Sequence, residues 1–108
     1  MKLVQVIIAP EKLEQVKDGL AEAEIYRFTI SEVLGTGHQR GQDDSGLDIQ
    51  MFKKLKLEII VSDEFVKPTI AAVMKAAEED VVGAGKLLVM KIDDVIRIRT
   101  GERGNDAI

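Results

Sequence analysis

"KLVQVIIAPEKLEQVKDGLAEAE", Lys2 to Glu24, is the stretch whose reading decides the fold. Its opening run, Lys2 to Ala9, is apolar and rich in β-branched side chains, with Val4, Val6 and Ile8 at alternate positions. That spacing puts the three on one face of a strand. Pro10 stops the run and fits near a helix start. Leu13, Val16, Leu20 and Ala23 then recur at helical spacing. Gly19 interrupts that helix at a cost of up to about 1 kcal/mol relative to alanine. A period of two giving way to a helical period across one proline is a strand–helix unit.

The same alternation of periods runs on. "YRFTISEVLG" (Tyr26 to Gly35) reads as a second strand and "KKLKLEIIV" (Lys53 to Val61) as a third. Ser62 is placed to cap a second helix, with Asp63 and Glu64 suited to the positive end of its dipole. Phe65, Val66, Ile70, Val73 and Ala77 form its apolar stripe. Pro68 conflicts with a helix that begins at Ser62, so the helix starts later or kinks. "KLLVMKI" reads as a fourth strand and "DDVIRIR" as a short fifth. The order strand–helix–strand–strand–helix–strand predicts an α+β, ferredoxin-like βαββαβ sandwich: an antiparallel sheet with both helices on one face. Residues 1–108 form a single domain of common size.

Composition narrows the function. The net charge is −4 and the hydrophobic fraction 45%, with aromatics only 4%, so the core is aliphatic and a general nucleic-acid-binding face is not expected. There is no cysteine, hence no thiolate chemistry and no disulfide framework. No apolar run approaches the roughly 20 residues that span a bilayer. No signal pattern opens the chain. A cytoplasmic location, without membrane insertion, is the expectation. So short a chain buries a modest share of its surface and would gain from assembly.

No catalytic set emerges, and no enzymatic activity is expected. His38, the one histidine, has no Ser or Cys partner. With Asp43, Asp44 and Asp48 it could form a metal site, but the spacing matches no zinc pattern, and a solvated loop face is the plainer reading. These residues lie in a polar, glycine-bearing stretch from Gly35 to Gln50, far longer than the usual loop of about 4–6 residues. Between two strands it makes a hairpin with a large tip.

Three glycine-bearing segments stand out: "GTGHQRG" after the second strand, "VVGAGK" (Val81 to Lys86) before the fourth, and "RIRTG" near the end. Glycines let backbone N–H groups approach an anion closely. Lys86 adds a point charge. Arg97 and Arg99, two apart on a strand, would share a face and offer paired guanidinium forks. Each segment alone is more simply a turn or a wet-edged strand; together they point to a phosphate site. "GAGK" is not a P-loop, because the G-x-x-x-x-G-K-[ST] spacing is missing and a strand follows.

Along almost its whole length the chain resembles the P-II signal-transduction family. "MKLVQVIIAPEKLEQVKDGLAE" is similar to that family's first strand and helix, and "TISEVLGTGHQRG" to its T-x-x-E-V-x-G-x-G-x-Q-x-G segment. "VVGAGK" sits where the family has its B-loop (residues 78–86 here). "VIRIRTGE" (Val95 to Glu102) matches its C-terminal signature and runs into the C-terminal segment, residues 97–108. The resemblance implies a homotrimer of ferredoxin-like subunits that binds ATP, ADP or AMP in clefts between subunits. A long T-loop, residues 35–51, would dock on a transporter or metabolic enzyme. By position, Ile7, Thr29 and Ile60 would surround the adenine. Gly35, Thr36, Gly37, His38 and Gln39 would form the T-loop base. Gly83, Ala84, Gly85 and Lys86 would cradle phosphate, and Arg97 and Arg99 would reach it from the neighbouring subunit. Gln39 and Lys54 would hold 2-oxoglutarate, with Gln39 toward magnesium and ATP.

The departures from the family pattern carry expectations too. The loop is shorter than usual and has no tyrosine, Tyr26 being the only one in the chain, so uridylylation is not expected. Asp80 and Val81 replace a Gly-Lys pair, Ala84 replaces Asp, and His38 replaces a common arginine. Each lost charge-assisted hydrogen bond is worth about 1.5–3 kcal/mol, so a preference for ADP or AMP over ATP is expected. Regulation of a non-ammonium transport system (metal or bicarbonate) is the alternative reading. An enzyme rival is slow ATP hydrolysis, with Gln39 or Glu58 positioning water; a structural rival is a metal-binding trimer. Arg103 stays open between a third phosphate contact and a solvated tail residue.

Overall fold

The computed structural model describes residues 1–36, 50–77 and 85–108. Four strands and two helices follow in the order β1 (Lys2–Ile8), α1 (Leu13–Glu22), β2 (Thr29–Thr36), β3 (Met51–Val61), α2 (Val66–Ala76) and β4 (Gly85–Lys91). All pairings are antiparallel and the sheet order is β2-β3-β1-β4. This is the expected ferredoxin-like α+β arrangement.

The alternation in β1 is realised as anticipated: Val4, Val6 and Ile8 are buried, and so are Leu55, Leu57, Ile59 and Val61 of β3. Val16 and Leu20 of α1 and Val73 of α2 close the core over them. Gly19, costly to helix propensity, lies where the helices approach. A Cβ there would stand 3.1 Å from the Ala72 carbonyl oxygen and 3.3 Å from the Ala76 Cβ. The sequence sacrifices propensity for close packing against small residues.

Both helices are entered through a single 3₁₀ turn, Pro10–Lys12 before α1 and Asp63–Phe65 before α2. Pro68 is thereby moved into the first turn of α2, where its missing N–H is not needed. Ser62 does not cap with its side chain, contrary to expectation; its carbonyl accepts the Phe65 N–H at 3.0 Å instead. The stripe on α2 is also corrected. Val73 is buried and Val66 and Ala77 pack against the core as expected, but Phe65 is 38% exposed, and Thr69 is buried as well, its hydroxyl donating to the Phe65 carbonyl at 2.7 Å. A buried hydroxyl that bonds back to its own helix needs no further partner.

α1 ends with Glu24 at φ 63. The Ile25 N–H reaches the Leu20 carbonyl at 2.8 Å and the Glu24 N–H reaches Ala21 at 2.9 Å, while Ile25 packs into the core with Leu20. This is the Schellman closure with a glutamate where glycine is preferred.

The fifth strand is not formed. After β4 the chain makes a tight turn through residues 98–100, closed by one bridge between Ile96 and Arg103. The Arg97 N–H donates to the Glu102 carbonyl at 2.9 Å, and the Gly101 N–H to the Arg97 carbonyl at 2.7 Å. Gly101 (φ 75) and Gly104 (φ 65) take up left-handed backbone that a continuing strand would not need. The I-R-I-R alternation therefore does not describe faces of a sheet: Ile98 is 99% exposed, where strand pairing would have turned it inward.

Candidate functional site

The helices cover one face of the sheet only, and the other face is built in rows by the strand register. Ile60, Leu3 and Met90 form one row across β3, β1 and β4; Glu58, Gln5 and Leu88 form the next; Lys56, Ile7 and Lys86 form the third. On β2, Thr29 stands opposite Glu58 and Ser31 opposite Lys56. Side chains opposite one another in register share a face. Ile7, Thr29 and Ile60 are therefore all on the helix-free face, as a shared site requires. Thr29 and Ile60 line a cavity of about 390 Å³ together with Glu58, Ala107 and Ile108. Ile7 is outside that cavity, in the row next to Thr29 and Glu58, between Lys56 and Lys86.

β3 is longer than β1. Its residues Met51–Lys54 pair with β2 alone, so Val33–Thr36 and Met51–Lys54 form a two-stranded ribbon that runs past the sheet. Gly35 sits on this ribbon opposite Phe52, and a Cβ there would lie 3.3 Å from the Lys54 side chain. Thr36 pairs with Met51 at its end. Gly85 opens β4 beside Ile8 with φ 128, and any Cβ on it would collide with the Ile7 carbonyl oxygen. The glycine after "VVGA" is thus a requirement of the backbone at the Lys86 end. Gly37, His38, Gln39, Gly83 and Ala84 lie outside the described residues, as do Asp43, Asp44 and Asp48.

The arginine segment is at the other end of the sheet. β4 ends at Lys91, which pairs with Lys2, and the Ile92 N–H donates to the Met1 carbonyl at 3.3 Å. From Gly85 beside Ile8 to Lys91 beside Lys2 is on the order of 20 Å at a strand's rise per residue. Within one chain Gly85 and Lys86 therefore lie apart from the arginine segment.

Arg97 and Arg99 are also unlike each other. The Arg97 side chain, 31% exposed, donates to the main-chain oxygen of Ile108 at 3.2 Å and stands 3.6 Å from the Glu102 carboxylate. Glu102 accepts in turn from the Thr100 hydroxyl at 2.7 Å. Arg99 is exposed, with no hydrogen bond or ion pair to the described residues. Arg103 pairs with Asp94 at 2.9 Å across the turn. Two contacts and one further lysine escaped sequence reasoning. Arg27 reaches the Ile108 oxygen at 3.5 Å and carried no sequence signal. Glu102 stood in the tail unremarked as the partner of Arg97. Lys56 could have been found by counting two from Lys54.

At the end of the sheet where Val61 pairs with Lys2, the Met1 amine donates to the Asp63 carboxylate at 2.8 Å. That hydrogen bond and the attendant positive charge, with a smaller contribution from Lys2, hold the Asp63 carboxyl below the usual carboxylate range. Among the described residues no group of three or more acidic or histidine side chains could hold a metal ion. No described helix is long and apolar enough to cross a membrane.

The profile of the family described as Nitrogen regulatory protein P-II matches residues 1–102. The chain belongs to the P-II family. It is 42% identical to Nitrogen regulatory protein P-II 2 of Methanothermobacter thermautotrophicus, over all of this chain and 97% of that protein. It is equally 42% identical to Nitrogen regulatory protein GlnK1 of Methanosarcina mazei, again over all of this chain and 97% of that protein. Nitrogen regulatory protein P-II of Nostoc punctiforme is 40% identical over the full length of both. P-II proteins are signalling regulators, and the described sheet and helices of this chain are consistent with their ferredoxin-like fold.

Proposed function

We propose that this P-II chain is a non-enzymatic, cytoplasmic regulator that works as a homotrimer and binds adenine nucleotides in clefts between subunits. The observation that carries this reading is the separation within one chain of Gly85 and Lys86 from Arg97 and Arg99 by the length of the sheet. A site that uses both ends needs a second copy to supply the arginines. The helix-free face favours such a partner: Ile60, Leu88 and Met90 are each exposed there by 37% or more. β4 is an edge strand that also exposes Val89 on its other face, and an uncovered apolar edge invites association.

In this reading Thr29 and Ile60, with Ile7 beyond, surround the base. The T-loop base, Gly35, Thr36, Gly37, His38 and Gln39, and the B-loop residues Gly83, Ala84 and Gly85 would border the phosphates. Lys86, with Lys56 across Ile7, supplies positive charge, and the neighbour's Arg97 and Arg99 complete it. Gln39 and Lys54 would hold 2-oxoglutarate together with magnesium and ATP. Residues 35–51 form the output loop, whose conformation shifts only by a ligand's differential affinity for its states. The target is a transporter or a metabolic enzyme, and the names of the relatives favour nitrogen regulation.

Calorimetric titration with ATP, ADP and AMP, with and without magnesium and 2-oxoglutarate, on protein of confirmed trimer mass, tests the reading. ADP or AMP is expected to bind at least as tightly as ATP. ATP binding tenfold tighter than both would remove the preference; a trimer that binds none of the three would remove the function.

A further inference from the structure

The tail of the chain holds the very guanidinium that the nucleotide reading assigns to phosphate. Residues 104–107 form a 3₁₀ turn. It is pinned at its start by the Gly104 N–H on the Val95 carbonyl at 3.0 Å and by the Arg103–Asp94 pair at 2.9 Å. At its far end the Ile108 oxygen takes Arg97 at 3.2 Å and Arg27 at 3.5 Å. Ile108 also lines both the cavity of about 390 Å³ at Thr29 and Ile60 and a second of about 400 Å³ at Ile60 and Phe65. The tail thus lies against the proposed base position and takes one N–H of the Arg97 guanidinium at the same time. Glu102 supplies the remaining negative charge beside Arg97. Arg99, two residues on, has no such restraint among the described residues.

We propose that residues 104–108 are a strap that competes with nucleotide for Arg97, so that the chain binds with Arg99 first and recruits Arg97 only when the strap lets go. A guanidinium cannot give the same N–H to the Ile108 oxygen and to a phosphate. Opening the strap therefore subtracts from binding, and a chain without it binds more tightly. The inference rests on the nucleotide reading above and adds an internal competitor to it.

The test is ADP titration by calorimetry of the full chain, of a chain lacking residues 105–108, and of Arg27→Ala, each with and without Arg97→Ala. Losing the competing hydrogen bond is expected to tighten ADP binding about fivefold to tenfold in the shortened chain and about twofold to threefold in Arg27→Ala. With Arg97→Ala in place, the gain is expected to vanish. If the shortened chain does not fold, Arg27→Ala, which leaves the tail intact, decides alone. Affinities within 1.5-fold, at about the limit of a resolvable free-energy difference, in every folded variant overturn the strap, as does a full gain that persists without Arg97. Failure of ADP to bind any of the proteins refutes the nucleotide reading itself and takes the strap with it, so the two failures are distinguishable.

Discussion

The two faces of the sheet are made by the same strands and have opposite character. On the helix side, alternate residues of β1 and β3 are sealed, with Val4, Leu57 and Ile59 fully buried. On the other side, the intervening residues leave Ile60, Leu88 and Met90 partly exposed beside Lys56 and Lys86. One face completes itself within a chain; the other is arranged for something more. Stability is expected to reside in the first and assembly and ligand binding in the second.

The largest effect should come from setting the faces against each other. Leu57→Ala empties a fully buried site and is expected to cost about 3–4 kcal/mol in urea unfolding. Met90→Glu, on the open face, is expected to leave the folded chain within about 0.5 kcal/mol while reducing the mass in solution toward that of one subunit. Equal stability losses in the two variants would break the distinction.

Gly85→Ala probes the seam between the faces. Its φ of 128 and the Ile7 carbonyl beside it leave no place for a methyl group. A loss of about 2–3 kcal/mol is expected, read as a lower melting temperature. A neutral outcome would mean that the start of β4 can shift freely. In the opposite direction, Glu24→Gly relieves left-handed backbone at the end of α1 and should gain about 0.5–1 kcal/mol in the same assay.

The smallest effect is at Asp63, whose carboxyl is held below its ordinary value of 3.8 by the Met1 amine. A lowered folded-state value contributes stability that is present above the unfolded value and lost as the pH falls through the lowered one. Asp63→Asn should therefore be slightly less stable than the parent at neutral pH and indistinguishable from it in strong acid. Because this pair is exposed, the difference is small. A gap that stays constant across acid pH would assign the effect to something other than the charge.

Much of the fold was legible because periodicity is a local property. Val4, Val6 and Ile8 announced β1, and Leu13, Val16 and Leu20 announced α1, since each repeat is set by backbone geometry alone. The tail was misread for the same reason. Ile96, Arg97, Ile98 and Arg99 alternate as a strand does, but a strand also needs a partner to take its hydrogen bonds. The backbone from Val95 to Arg97 found those partners in Gly101, Glu102 and Gly104 of its own turn. No periodic rule reports that choice.

The candidate site divides in the same way. Glycines and paired charges marked the kinds of residue an anion needs, and the resemblance to P-II proteins marked their places. By itself the amino-acid order determined the strand–helix alternation, the aliphatic core and the family. Only the tertiary structure decided that Thr29 and Ile60 meet in one cavity while Ile7 stays in the next row, outside it. It also decided that Lys86 and Arg97 stand at opposite ends of the sheet, and that Arg97 is held by its own tail whereas Arg99 is not. These are distances between residues far apart in the chain, set by strand register and turn closure, which a one-dimensional pattern does not contain.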